Sequence, residues 1–236
     1  MLPESVLSVK TAASSFALVD LTTLKADLGI ADSSQDARLT RIVAAISQQV
    51  PAYIGRPIAE QEYIETWRLP AGGQDYWSVT LPRDQINFLD LSRTPVTIVE
   101  TVVEAGVTLD PSLYQWIDDK GLMRLTAAGG VTGWASGTIA VTYKAGWLPT
   151  GTPTPPQIAL PADLYEASLL AARGMFYAKD RDPTQLVRSE IVPDVYSVTY
   201  DTRTGYGGDP AGVGNYGLPP AVTAMLDAYR RAPFMF

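Results

Sequence analysis

The run from Asp32 to Gly55 constrains the fold more than any other part of this sequence. Leu39, Ile42, Val43, Ile46, Val50, Tyr53 and Ile54 recur at three- and four-residue spacing, so a helix gathers them into one apolar stripe. Arg38, Arg41, Gln48 and Gln49 fall on the rest of its surface. Asp32-Ser33-Ser34-Gln35-Asp36 opens the helix and Gly55 marks its end. Pro51 removes one backbone bond late in the run, which predicts a kink or an early end. A stripe of this kind has to be covered, so the chain needs further apolar surfaces to pack on it.

Those surfaces are legible on both sides. Leu21 to Gly29 reads as a short helix, with Thr22 or Asp20 as N-cap and Gly29 as its stop. From Ile58 to Gly146 the period changes. Tyr63–Leu69, Tyr76–Leu81, Val96–Glu104, Leu113–Asp118, Leu122–Thr126 and Thr138–Tyr143 are short runs rich in Val, Ile, Thr, Tyr and Trp. Glu104-Ala105-Gly106 joins Val96–Val103 to Val107–Leu109 as a hairpin, and Asp119-Lys120-Gly121 joins the next two runs. A proline-rich stretch, 149–160, leads to a second long helix from Ala162 to about Lys179, with Leu164, Ala167, Ser168, Ala171 and Met175 on one face. Arg188 to Tyr200 reads as extended chain, 201–217 as a glycine-rich loop, and Pro219 to Arg231 as a last helix. The expectation is an α+β protein. Its helical bundle core, 20–57 and 160–231, carries an inserted antiparallel β domain, 58–148, and an extended C-terminal tail, 232–236.

Composition narrows the chemistry. The chain of 236 residues has no Cys and no His. It therefore lacks a thiolate nucleophile, an imidazole base, a disulfide framework and a Cys/His zinc site. A metal site would have to be all oxygen, and no cofactor is expected. With 25 Asp+Glu against 18 Lys+Arg, a net charge of −7 argues against a main task of gripping nucleic acid, which needs clustered cations. Glu4 and Lys10 interrupt any signal-peptide core, and no apolar run approaches the roughly 20 residues of a membrane span. The chain reads as a cytoplasmically folded protein that is not an enzyme.

Several motifs invite other readings and fail on context. Gly212-Val213-Gly214-Asn215-Tyr216-Gly217 spells G-x-G-x-x-G, but Pro219-Pro220 precedes the following helix and the chain ends before the acidic partner position. Gly133-Trp134-Ala135-Ser136-Gly137 resembles a nucleophile elbow with its serine one place late, and no His exists to complete a triad. Asp118-Asp119 and Asp180-Arg181-Asp182 are close acidic pairs, but each falls where a solvated turn is expected. Trp67, Trp77, Trp116, Trp134 and Trp147 cluster in or beside the β unit; they fill its core or form a sugar-binding platform, and core filling is favoured. Phe234, Met235 and Phe236 either fold back on their own domain or dock into another protein.

Taken in order, the motifs resemble one family. Asp36-x-x-Leu39-x-x-Ile42-Val43 with Val50-x-x-Tyr53-x-Gly55-Arg56-Pro57, preceded by Leu21-x-x-Leu24-Lys25-x-x-Leu28, is similar to the opening of tailed-bacteriophage head–tail connector (adaptor, or head-completion) proteins. Val141-x-Tyr143-x-Ala145-Gly146, Leu160-Pro161-x-Asp163-Leu164, Arg181-Asp182-Pro183 and Leu218-Pro219-x-x-Val222-x-x-Met225-Leu226-x-x-Tyr229-Arg230 continue the resemblance in sequence. It implies a structural protein of the virion, a ring (commonly a dodecamer) under the portal that extends the DNA channel. Its implied partners are the portal protein and a tail, stopper or tail-terminator protein. DNA passes an acidic lumen that repels phosphate and gives no specific binding. The resemblance also implies portal docking through Arg230, Arg231, Phe234, Met235 and Phe236, and subunit packing through the small face Ala167, Ala171 and Ala172. The alternatives are another tail component of the virion or a carbohydrate-binding module.

Overall fold

The computed structural model describes residues 4–69, 88–118, 121–134, 137–177, 189–192, 196–199 and 218–230. It is a mixed α+β protein, and its contacts divide it into two units. The first comprises Met1–Ser14, Ala59–Trp147 and Pro153–Ile158; the second comprises Ser15–Ile58, Leu148–Thr152 and Ala159–Phe236.

Among the described residues the first unit is built of β-strands with one short 3₁₀ turn, Pro111–Leu113. Strands β1 (Glu4–Thr11), β2 (Gln61–Leu69), β4 (Val96–Glu104), β5 (Val107–Thr108) and β9 (Gly137–Ala145) form an antiparallel sheet in the order β1-β2-β9-β4-β5. A second sheet has β7 (Gly121–Leu125) between β3 (Phe88–Leu89) and β6 (Tyr114–Ile117), and β8 (Val131–Thr132) also pairs with β7. Inward residues alternate along the long strands: Tyr63 and Trp67 of β2 meet Ile139, Val141, Tyr143 and Ala145 of β9 in one core with Leu89, Leu91, Val102, Leu122 and Trp134. The hairpin at Ala105-Gly106 has φ of 50° and 82°, the doubly left-handed turn whose twist matches its flanking strands. The run Tyr76–Leu81 lies outside the described residues. Strand β1 is a finding of the structure, because the sequence reading treated Glu4 and Lys10 only as breaks in a leader.

One buried carboxylate sits in this core. Glu65, an inward residue of β2 with no exposure, accepts from the Ser92 amide at 2.9 Å, the Ser92 hydroxyl at 2.5 Å and the Tyr143 hydroxyl at 2.9 Å. Burial together with the Glu65 charge pushes the Tyr143 hydroxyl far above the ordinary tyrosine range. Its acceptor capacity is met, so Glu65 fastens the Ser92 segment onto the sheet.

The second unit holds the helices α1 (Leu21–Leu28), α2 (Asp36–Ile54), α3 (Ala162–Tyr177) and α4 (Pro220–Leu226), and a separate hairpin of β10 (Ser189–Val192) and β11 (Tyr196–Thr199). Asp20 is the N-cap of α1, accepting from the Thr23 amide at 3.1 Å, and Gly29 closes it at φ 69°. Helix α2 continues through Pro51 to Ile54 and does not end early. Gly55, at φ 80°, then turns the chain, and the amides of Gly55 and Arg56 both donate to the Pro51 carbonyl. The stripe on α2 is buried as its spacing requires. Helix α3 touches α1, α2 and α4, and Lys25–Asp36 (2.6 Å) and Arg173–Asp27 (3.2 Å) tie the helices at their rims.

Candidate functional site

In the second unit, the segment following α4 is held by two tyrosine–carboxylate clasps. Leu218, Val222 and Leu226 are buried, which seats α4 against its neighbours and fixes the short 3₁₀ turn Asp227–Tyr229 beyond it. The buried Tyr53, from the last turn of α2, donates its hydroxyl to the Asp227 carboxylate at 2.6 Å. The Arg230 guanidinium lies 5.0 Å from the Tyr53 ring centre and 3.7 Å from the same carboxylate. Tyr229 donates to Asp163 in the first turn of α3 at 2.5 Å. Burial and then Asp163 raise the Tyr229 hydroxyl to about 12, and burial with Asp227 raises that of Tyr53. Three helices thus fix the position of Arg230, the last of the described residues.

Of the residues expected to dock, Arg230 is described, and its side chain is 55% exposed beside Tyr53. Arg231, Phe234, Met235 and Phe236 lie outside the described residues. The small face requires a correction. Ala167, Ala171 and Ala172 have no exposure in the single chain, because α3 packs them within its own unit. They bring helices of one subunit close together and present nothing to a neighbouring copy.

The family-like motif residues each have a local task. Leu39, Ile42, Val43, Ile46 and Tyr53 are buried on α2, Gly55 supplies the left-handed stop, and Arg56-Pro57 follows as the chain leaves the helix. Val141, Tyr143 and Ala145 point inward, while Gly146 passes backbone closely: a Cβ there would stand 2.8 Å from the Ala59 carbonyl oxygen and from Glu60. Leu164 is buried, and Asp163 serves both its own helix start and Tyr229. The clasp partners Asp227 and Asp163 escaped the sequence reading. A tyrosine near each helix end was visible, but the pairing spans 174 residues in one clasp and 66 in the other.

The decoys resolve in part. Trp67, Trp134 and Trp147 are buried, and Trp116 packs against the β core while donating to Asp118 at 2.9 Å, so these rings fill the unit; Trp77 lies outside the described residues. Asp119, Asp180, Asp182 and Gly212–Gly217 also lie outside them. Among the described residues no acidic cluster of metal-binding geometry occurs, and no helix is long and apolar enough to cross a membrane. An open groove of about 470 Å³ is lined by Arg38, Arg41, Ile42, Ala45 and Met175, a set without a base or nucleophile. Arg38 there is already held by the Phe176 carbonyl at 2.6 Å and lies 4.6 Å from the Phe176 ring centre.

The resemblance noted in the sequence is borne out by comparison with known proteins. Residues 19–84 match the model of the phage gp6-like head-tail connector protein family, a segment that includes α1, α2 and β2. The match supports a structural connector role. No curated protein matches the chain. Among solved structures, a chain from the neck of an empty GTA particle computed with C6 symmetry aligns at 16% identity and a TM-score of 0.49, covering 98% of this chain and 97% of that one. A chain from the neck of a native GTA particle computed with C12 symmetry aligns at 15% identity and a TM-score of 0.46, with the same coverage.

Proposed function

We propose that this chain is a structural adaptor of a tailed-phage virion. In this reading it is a subunit of a ring, commonly dodecameric in the proteins it resembles, that sits below the portal and extends the DNA channel. Its other side receives a tail, stopper or tail-terminator protein. The observation that carries the reading is the connector-family match over residues 19–84, which falls on the stripe of α2 and its glycine stop. The clasps give a second reason. They hold the end of α4 rigidly and leave the Arg230 side chain exposed, so the apolar segment that follows in the sequence starts from a fixed point. A net charge of −7 suits a lumen through which DNA slides without adhering.

The test uses the full chain, a variant lacking Pro233–Phe236, and purified portal protein. Burying Phe234, Met235 and Phe236 is worth about 1.5–3 kcal/mol each by transfer, and each 1.4 kcal/mol is a factor of ten. The deletion should leave the circular dichroism spectrum unchanged and lower portal affinity at least about ten-fold. Unchanged affinity refutes docking through these residues. Negative-stain images in which the full chain never forms a ring on the portal refute the adaptor reading itself.

A further inference from the structure

Among the described side chains of the second unit, most carboxylates are engaged within the copy. Asp36 and Asp27 pair with Lys25 and Arg173, Asp20 and Asp32 serve local turns, and Asp227 and Asp163 hold the clasps. Glu166 is the exception: it is exposed on α3, and no described residue bonds to it. The cations leave a matching remainder. Arg41 is exposed on α2, donates its Nε to the Ala37 carbonyl at 3.3 Å and meets no carboxylate among the described residues. Arg38, one turn earlier, is held by Phe176 and meets none there either. Both remainders lie beside apolar surface at the same spacing. On α2, Arg41 stands four residues before Ala45, which opens with Ile42 and Met175 into the groove of about 470 Å³. On α3, Glu166 stands four residues before Leu170, which is 39% exposed. Each pair thus sets a charge and an apolar group about 5–6 Å apart along a helix face. Met175 shares the side of α3 that carries the buried Leu164 and Ala171, so the groove and the Glu166–Leu170 stripe use different sides of that helix.

From this match we infer that the groove receives the Glu166–Leu170 stripe of a second copy of this chain, as the contact between neighbours in the ring; the inference rests on the ring reading above. Glu166 meets Arg41, and Leu170 covers Ile42, Ala45 and Met175. With α2 and the neighbour's α3 running in the same direction, the two four-residue steps coincide, and the small Ala45 lets the helix axes approach to about 8–10 Å. The contact joins unlike surfaces, so each copy keeps one groove and one stripe for its two neighbours until rotation closes the ring. A nucleic-acid backbone is a poorer occupant. The apolar floor of Ile42, Ala45 and Met175 offers a phosphate no donor, Arg38 is already held by Phe176, and the net charge of −7 repels it.

The test uses the full chain with purified portal protein, assembly being followed by sedimentation and negative-stain imaging. Glu166→Arg and Arg41→Glu change exposed positions and should leave the circular dichroism spectrum unaltered. Each sets like charges face to face, so each should raise the chain concentration needed for half-assembly about ten-fold. The double variant Arg41→Glu with Glu166→Arg restores opposite charges and should return to within about three-fold of the unmodified chain. Rings that either single change leaves unweakened, or that the double variant fails to recover, overturn this contact while the ring reading stands. A full chain that never forms a ring on the portal overturns both. Loss of duplex DNA retention in Arg41→Glu with rings intact also overturns the contact and gives the arginines to phosphate.

Discussion

Replacing Ala171 by leucine separates a face used inside the subunit from a face used between subunits. Ala171 has no exposure, and its neighbours on the same face, Ala167 and Ala172, have none either. Ala171 is fully buried, so the added side chain must displace the packing of α3 on the helices it touches. Overpacking of this kind costs about 1–3 kcal/mol. For a protein of this size each kcal/mol lowers the melting temperature by about 2–4 °C, so a fall of about 2–12 °C is expected. The probe matters because the molecule has two units. The tryptophans among the described residues, Trp67, Trp116, Trp134 and Trp147, belong to the β unit, whereas α1 to α4 belong to the other. Tryptophan fluorescence thus follows one unit and circular dichroism at 222 nm chiefly the other. Ala171→Leu should lower the helical transition and leave the fluorescence transition in place. Leu170→Ala, on the same helix but 39% exposed, should change the helical transition by less than about 1 kcal/mol. An unaltered helical transition in Ala171→Leu, accompanied by loss of assembly, would falsify the assignment of this face to internal packing.

Two further outcomes follow from the same contacts. Gly146→Ala combines a φ of 120° with a Cβ 2.8 Å from Ala59 and Glu60 backbone, so it should cost about 2–6 kcal/mol; Gly137→Ala, at φ 118° with nothing within 4 Å, should cost only the backbone strain of about 1–3 kcal/mol, both read by tryptophan fluorescence in urea. The Tyr229 hydroxyl, raised from the ordinary 10.0 to about 12, binds its proton more tightly in the folded state. Its contribution is complete below pH 10 and declines as pH rises toward 12, so Tyr229→Phe should flatten the alkaline fall in helical stability over that window; an unchanged slope counts against the Asp163 clasp.

Local rules carried the sequence reading a long way where one residue decides the outcome by itself. The α2 stripe, the glycine stops at Gly29 and Gly55, and the alternation along β2 and β9 follow from period and from φ. What escaped depends on partners far along the chain. Glu65 reads as an ordinary polar position in an alternating strand, yet it points inward because Ser92 and Tyr143 supply its donors. The clasps of Tyr53 and Tyr229 are likewise joined only after α4 has folded back. Strand β1 was missed for a different reason. Its two charges sit near its ends, and its exposed valines give it no amphipathic signature of its own.

The small face of α3 shows where sequence and function part company most sharply. Small residues four apart, Ala167 with Ala171 and Ser168 with Ala172, report that another backbone comes near, and they carry no information about whether that backbone belongs to the same chain. Exposure decides it, and here the answer is internal. A subunit with a stable fold before assembly needs its closest packing for itself, so the surface it offers to others must come from what folding leaves unsatisfied. Among the described residues of the β unit that remainder includes strand β1, with one neighbour in the sheet and two exposed valines.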